Sequence, residues 1–300
     1  MTKSAKWLWG IFALLIIFFL VVFVTIFSLF SDSDTEDLNY GSGGTIAVVE
    51  LKEPIVESES IVRQFKRYRE NQTVKAVVFR IESPGGGVSA SQEIYEEVKK
   101  TRESGKPVVV SMGSVAASGG YYVAIGASRI VANPGSVTGS IGVISQFVQY
   151  DDLMKKIGLS SSTIKSGKLK DAGSPFRKMT EDDKRYFQEM VDDIYGQFVG
   201  AVAQERKLDV KIVRTLADGR VFTGRKAYQL KLIDTLGTYE DAVAIAASMA
   251  GITGTPHLIK EKKKERLSDM ILGSVREELK GISQEVFARP IVQYLYTQPQ

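Results

Sequence analysis

The distribution of hydrophobic and polar residues is most uneven near the start of the chain. Residues 7–30 form a run of 24 residues without a single charge. As a helix, this run would be roughly 36 Å long, which exceeds the hydrocarbon thickness of a bilayer at about 30 Å. A cleavable leader has a shorter apolar region, and a buried core helix is rarely apolar on all sides. The pattern therefore predicts one transmembrane helix over residues 7–30.

The charges that flank this run predict its orientation. Lys3 and Lys6 precede it, and acidic residues are frequent in residues 31–37. Because positive charges accumulate on the cytoplasmic side of a membrane helix, residues 1–6 should form a cytoplasmic head. Residues 31–43 then form a polar linker, and the rest of the chain lies outside the cytoplasmic membrane. The prediction is a single-pass membrane protein that contacts the bilayer through residues 7–30.

Short apolar runs alternate with amphipathic segments after the linker. The runs predict strands, and the segments between them predict helices at 58–69 and 89–104; the first three strands are placed at 45–51, 74–81 and 107–112. Such alternation favours crossover connections and a parallel sheet. We predict one α/β domain over residues 44–253. A charged run and later apolar positions at helical spacing predict a C-terminal helical extension and tail over residues 254–300.

Two further elements follow from local signals. Residues 162–165 are predicted to form a strand. The longest helix is predicted over Thr180–Lys207, because Thr180 and Asp183 have the spacing of an N-terminal capping box.

Composition narrows the possible chemistry. The chain has 300 residues, no cysteine, one histidine (His257) and a formal net charge of +4. Thiol chemistry and histidine-based metal clusters are thereby excluded, and we expect neither a metal nor a cofactor. The mild charge does not favour nucleic-acid binding. Because the single histidine lies near the C-terminal end of the chain, we expect a catalytic serine to use a base other than histidine.

The candidate nucleophile lies in the small-residue stretch Ser111–Ala124. An apolar strand leads into it, a predicted helix leaves it, and Ser118 lies at the junction, followed by Gly119 and Gly120. A serine on such a turn is exposed beside free backbone N–H groups, as in a nucleophile elbow. Serine is also a favoured helix N-cap. This stretch alone leaves both interpretations open.

A second glycine-rich turn, Ser83–Gly87, ends the preceding strand. Adjacent parallel strands bring their carboxyl ends to one edge of the sheet, where binding sites form. The amides of Gly85 and Gly119 could then face one point and form an oxyanion hole. The alternative is a tight turn that requires glycine for its backbone conformation.

Lysine is the natural base in a chain with almost no histidine. A free lysine has a pKa near 10.4, whereas a useful base needs roughly 7–8, and burial can lower the value. Spacing does not select one lysine, since four lie in or beside one loop: Lys165, Lys168, Lys170 and Lys178.

Several motifs together resemble the signal peptide peptidase A (SppA) family of membrane-anchored Ser/Lys peptidases, in its short bacterial form. They occur in family order between about residues 44 and 251 and are Ser83–Val88 (SPGGGV), Ser111–Tyr122 (SMGSVAASGGYY), Val137–Val143 (VTGSIGV), Ile164–Asp171 (IKSGKLKD) and Gly219–Gly224 (GRVFTG). The resemblance implies a ClpP/crotonase-like fold of repeated β-β-α units with a mostly parallel sheet.

The same resemblance assigns roles to five positions. It implies Ser118 as nucleophile, Lys170 as general base, and Ser140 as the residue that hydrogen-bonds this lysine. Gly85 and Gly119 match the oxyanion donors. The resemblance to short family members also implies a homo-oligomeric ring, in which the serine and the lysine of one site come from neighbouring protomers.

The implied function is a membrane-bound serine endopeptidase that degrades remnant signal peptides and other short apolar peptides. Two alternatives stay open at this point: a non-catalytic membrane scaffold of the same fold, and a crotonase-like acyl-CoA enzyme. The apolar segment Pro290–Tyr296 is a candidate to dock in a peptide groove, or to pack as a strand or helix for assembly.

Overall fold

The computed structural model describes residues 15–21, 35–38, 41–262 and 293–295. The chain divides into two compact units. Met1–Glu36 with Glu261–Lys264 form the first, and Asp37–Lys260 with Glu265–Gln300 form the second. All residues of the candidate site belong to the second unit.

In the first unit, residues 15–21 are helical and their apolar side chains are exposed. The other residues of the predicted transmembrane helix lie outside the described ranges. No helix within the described residues has the length and apolar composition needed to span a bilayer. Residues 35–37 of the predicted linker form a short strand, β1 (Thr35–Asp37).

A mostly parallel sheet forms the centre of the second unit, as the alternating pattern predicts. The next five strands in chain order are β2 (Thr45–Lys52), β3 (Val74–Ser83), β4 (Gly85–Gly87), β5 (Val108–Ala117) and β6 (Arg129–Ala132). They are followed by β7 (Val137–Gly139), β8 (Val221–Thr223), β9 (Thr235–Leu236), β10 (His257–Glu261) and β11 (Gln293–Leu295). The central order is β10-β2-β3-β5-β6-β9, with every pair parallel.

Helices cover both faces of this sheet. They are α1 (Glu59–Glu70), α2 (Val88–Glu103), α3 (Gly119–Ala124), α4 (Asp151–Lys156), α5 (Glu181–Arg206), α6 (Val210–Leu216), α7 (Gly224–Gln229) and α8 (Tyr239–Met249). Val77 and Phe79 of β3 face the larger core, while Val78 between them faces the core under α8. Because both faces are buried, the strands are continuous apolar runs, not alternating ones.

The long helix α5 begins as predicted. The Thr180 hydroxyl accepts a hydrogen bond from the Asp183 N–H, and the Asp183 carboxylate accepts one from the Thr180 N–H. This reciprocal arrangement satisfies two otherwise unpaired N–H groups at the helix start. The predicted capping box is confirmed.

Two sequence predictions differ from the structure. The predicted strand at 162–165 is wrong: these residues are exposed and irregular, and Ile164 has no packing partner among the described residues. An extended segment without a neighbouring strand leaves its backbone groups to water, so no sheet forms. The predicted domain end at residue 253 falls short of β10, which pairs with β2 at the edge of the sheet. The helices predicted after residue 262 lie outside the described residues.

Candidate active site

Ser118 occupies a strained turn between β5 and α3. Its backbone has φ 52° and ψ −116°, a conformation that non-glycine residues rarely adopt. The turn is fixed on both sides: the Ser118 N–H donates to the Gly139 carbonyl at 2.8 Å, and the Tyr122 N–H donates to the Ser118 carbonyl at 2.8 Å. The Ser118 side chain makes no capping hydrogen bond. Ser118 thus stands at the N-cap position of α3 without capping it through its side chain, and it is only 1% exposed, whereas the sequence predicts an exposed serine.

The glycine turn Gly85–Gly87 lies against this elbow. Gly85 has φ +103°, and a Cβ placed on it would lie 2.5 Å from the Gly119 nitrogen. Only glycine allows the two backbones to approach this closely. The turn is held by Ile55, whose N–H donates to the Gly85 carbonyl and whose carbonyl accepts from the Gly87 N–H, both at 2.7 Å.

The structure thus brings together the two glycines that the sequence assigned to an oxyanion hole. Their N–H groups have different surroundings, however. The Gly85 N–H donates to the Ser83 hydroxyl at 3.2 Å, whereas the Gly119 N–H belongs to the first turn of α3, where N–H groups have no partner within the helix.

A short strand from the C-terminal tail lies in the same place. β11 pairs antiparallel with the glycine turn, with Tyr294 opposite Gly86. The Tyr294 carbonyl oxygen is among the atoms nearest to a Cβ built on Gly85, and the Gly119 nitrogen is another. An extended peptide therefore already places a carbonyl beside the amide that follows Ser118.

The side chain of Tyr294 fills an aromatic pocket. It stacks on Tyr122 with ring centroids 5.1 Å apart, and its centroid is 4.6 Å from that of Phe198. Its hydroxyl donates to the Ile194 carbonyl at 3.4 Å, and burial raises the pKa of this hydroxyl. Tyr95 supports the pocket from behind, with its ring 5.2 Å from Tyr122.

Two charged residues fix Tyr95 in turn. Its hydroxyl donates to Glu205 at 2.7 Å, and Arg102 donates to the same carboxylate at 2.7 Å. Burial, assisted by the hydrogen bond to Glu205, raises the pKa of Tyr95. Because these residues lie on α2 and α5, the network fixes the two helices that form the walls of the pocket.

Ser140 directly follows Gly139, whose carbonyl accepts a hydrogen bond from the Ser118 N–H. Gly139 is the last residue of β7. The backbone of Ser140 has a positive φ of 50°. The Ser140 N–H donates to the Arg220 carbonyl at 2.9 Å. Ser140 also lines a cavity of about 520 Å³, together with Gly142, Val143, Ile144, Val191, Asp192, Tyr195, Ala217, Asp218 and Gly219.

Lys170 is placed differently from the other four predicted site residues. It lies in the exposed loop between α4 and α5, and its backbone N–H donates to the Gly167 carbonyl at 3.1 Å. Within the described part of the chain, its ammonium group makes no hydrogen bond or ion pair and does not contact Ser118. The described residues thus place Lys170 in a loop apart from Ser118, and the Ser118/Lys170 pair stays a prediction.

Sequence reasoning missed the aromatic pocket. The side chains that form it are far apart in the sequence, from Tyr95 to Tyr294. Apolar periodicity does not reveal which of such distant side chains pack together. Among the described residues, no group of His, Asp and Glu side chains is arranged to hold a metal ion.

The fold and the site together define a class. A parallel sheet presents a serine on a strained strand-to-helix turn, opposite a glycine turn that pairs with an extended peptide; this is an α/β protein of the ClpP-like type. Residues 47–138 match the family model of Clp protease, and residues 100–253 match that of peptidase family S49. The chain belongs to peptidase family S49.

Named relatives agree with this assignment, and the predicted resemblance to the SppA family is confirmed. The chain is 34% identical over 236 residues to the Enterococcus faecium protein named "Putative signal peptide peptidase SppA", covering 79% of this chain and 64% of that one. It is 35% identical over 264 residues to protease 4 of Salmonella typhi, covering 84% and 42% of the two chains. It is 37% identical over 216 residues to the chloroplastic serine protease SPPA of Arabidopsis thaliana, covering 70% and 32%. The chain thus spans between 32% and 64% of the length of these relatives.

Proposed function

We propose that this chain is a membrane-bound serine endopeptidase that cleaves remnant signal peptides and other short apolar peptides. The observation that carries the proposal is β11, an extended segment that pairs with the glycine turn and whose Tyr294 carbonyl oxygen lies, like the Gly119 nitrogen, close to Gly85. Antiparallel pairing of a peptide with an exposed strand edge uses only backbone groups. Such a groove therefore accepts many sequences.

In the proposed reaction, the Ser118 hydroxyl attacks the carbonyl carbon of the scissile peptide bond and gives its proton to a neutral lysine amine. The N–H groups of Gly119 and Gly85 stabilise the oxyanion that forms, and the Gly85 N–H exchanges its hydrogen bond to the Ser83 hydroxyl for one to the oxyanion. The lysine then protonates the leaving amine, and the peptide bond breaks to give an acyl-enzyme. Water hydrolyses the ester, with the same lysine as base.

We assign the lysine to Lys170 of a neighbouring copy in a homo-oligomeric ring. Two observations support this assignment. Lys170 is exposed and unpaired among the described residues, and a cavity opens beside Ser140, which is linked to Ser118 through Gly139. An incoming lysine there would find the Ser140 hydroxyl as a hydrogen-bond partner. A single chain would then be inactive.

The membrane location is part of the same proposal. Residues 7–30 would anchor the chain, with residues 1–6 in the cytoplasm and the second unit outside the cytoplasmic membrane. An anchored peptidase at this location would meet short apolar peptides released into the bilayer.

A serine-reactive phosphonate probe tests the central claim. We expect the full-length protein in detergent to be labelled at Ser118, because an activated serine attacks such probes, and Ser118→Ala to stay unlabelled. Peptide mapping by mass spectrometry identifies the labelled residue. Absence of labelling in an assembled wild-type protein would favour the scaffold of the same fold, since a scaffold retains the groove without an activated nucleophile.

Removal of the tail gives a second test of the groove. Deleting residues 289–300 should lower KM for a short apolar peptide by about tenfold while kcat stays unchanged, because a tethered strand competes at millimolar effective concentration. Steady-state kinetics separate the two constants. A synthetic peptide of residues 290–297 should inhibit the truncated protein competitively. An unchanged KM would indicate that β11 packs for assembly and does not occupy the substrate groove.

A further inference from the structure

The carboxylate next to the proposed base is held by other residues. Asp171 follows Lys170 directly, and Arg177 binds it through one edge of its guanidinium: Nε donates to Oδ2 at 3.0 Å and Nη2 donates to Oδ1 at 3.0 Å. Lys165 Nζ donates to the same Oδ1 at 2.5 Å. The Asp171 side chain is only 12% exposed, although its loop is on the surface. These bonds hold the pKa of Asp171 well below its usual range.

Arg177 is itself fixed to the start of α5. Its Nη1 donates to Asp183 Oδ2 at 2.5 Å, and this carboxylate also accepts the Thr180 N–H at 2.9 Å as part of the capping box. Arg177 therefore connects the residue after Lys170 to the first turn of the longest helix. A planar guanidinium with two carboxylate partners has one preferred orientation.

This arrangement resolves an electrostatic conflict. A lysine that acts as a base must be neutral, but a carboxylate nearby stabilises its ammonium form. Asp171 would be the nearest such carboxylate along the chain. Two other lysines of this loop are paired as well, Lys168 with Asp182 and Lys178 with Asp152. Two carboxylates line the cavity beside Ser140: Asp218, which accepts hydrogen bonds from Arg220, and Asp192, which accepts one from Gln188 at 2.7 Å.

We propose that Arg177 is a positioning residue that holds the Asp171 carboxylate, so that Lys170 enters the site without a counter-charge from the residue that follows it. The proposal rests on the proposed function, because it takes Lys170 as the base. Arg177 does not touch substrate; it acts through Asp171. Lys165 assists by occupying the same carboxylate oxygen.

The pH dependence of kcat/KM tests this role. In Arg177→Gln, Asp171 is released, and the acidic limb of the profile should move to higher pH by about one unit. Activity at pH 7 then falls about tenfold and is regained at alkaline pH. The double variant Arg177→Gln/Asp171→Asn should return the limb to its wild-type position, because no carboxylate is left to pair with Lys170.

A matched control is Arg185→Gln. Arg185 forms an ion pair with Asp182 on the same helix and does not contact Asp171, so its profile should equal that of the wild type. If Arg177→Gln does not assemble, Lys165→Gln gives the same test with a smaller shift in the same direction. An unshifted limb, or a loss of activity that is equal at every pH and not reversed by Asp171→Asn, would overturn the proposal. Full activity of Lys170→Ala would instead overturn the proposed function.

Discussion

Mixed assemblies of Ser118→Ala and Lys170→Ala chains should hydrolyse peptides, although neither variant does so alone. Each single substitution removes one half of the proposed dyad and should lower kcat/KM by about 10⁴-fold or more. If serine and lysine come from adjacent copies, random mixing leaves about one site in four with both groups intact. The structure motivates this result, since Lys170 is exposed and does not contact Ser118 of its own chain. Hydrolysis of a fluorogenic apolar peptide is the measurement.

The mixed protein is best obtained by co-expression of the two variants with different affinity tags and purification on both. Its assembly size must match that of the wild type, because a damaged ring would also be inactive. The control is a co-expressed pair of two Ser118→Ala chains, which should show no recovery. Intact mixed assemblies without activity would mean that the dyad forms within one chain or that Lys170 is not the base.

Much of the main fold could be predicted because it depends on local signals. Runs such as Val77–Phe79 are continuously apolar because helices cover both faces of the sheet. The four-residue segment from Thr180 to Asp183 contains the capping box and is enough to predict where α5 begins. Ser118 could be found because small residues crowd a junction between a strand and a helix. Physical constraints that operate within a few residues can be recognised from the sequence alone.

Features that depend on distant partners could not be predicted in this way. The aromatic pocket joins Tyr122 to Phe198 and Tyr294, and nothing in the local pattern of any one of them names the others. The segment around Ile164 has the composition of a strand, yet Ile164 is fully exposed and no strand among the described residues pairs with it. Conversely, β10 has a charged end that does not indicate a strand, because its position is set by pairing with β2.

The roles of the site residues show the same division. Gly85 and Gly119 were paired from the sequence by their place at the ends of adjacent strands, and the structure brings their backbones together. Only the resemblance to the SppA family assigns the role of general base to Lys170, because composition and spacing do not distinguish it from three other lysines in or beside the same loop. Its link to Arg177 through Asp171 depends on folding of the loop against α5, which no motif encodes.

Replacement of Gly85 by alanine should lower kcat/KM by about 10²–10³-fold. A Cβ at this position would lie 2.5 Å from the Gly119 nitrogen and would overlap the carbonyl oxygen of a peptide bound as Tyr294 is. The peptide carbonyl could then no longer reach the amide beside Ser118. The positive φ of Gly85 adds backbone strain of about 1–2 kcal/mol, which lowers the free energy of unfolding.

Gly105→Ala separates these two effects. Gly105 also has a positive φ, +87°, but a Cβ there meets no atom within 4 Å. It should therefore lose less free energy of unfolding than Gly85→Ala, whose Cβ also displaces backbone atoms, and keep the wild-type kcat/KM; denaturant titration measures the first quantity. Equal kcat/KM values for Gly85→Ala and Gly105→Ala would mean that strain alone matters and that the glycine turn does not receive the substrate carbonyl. A loss confined to Gly85→Ala would place the reacting carbonyl between this turn and Gly119, where Ser118 can attack it.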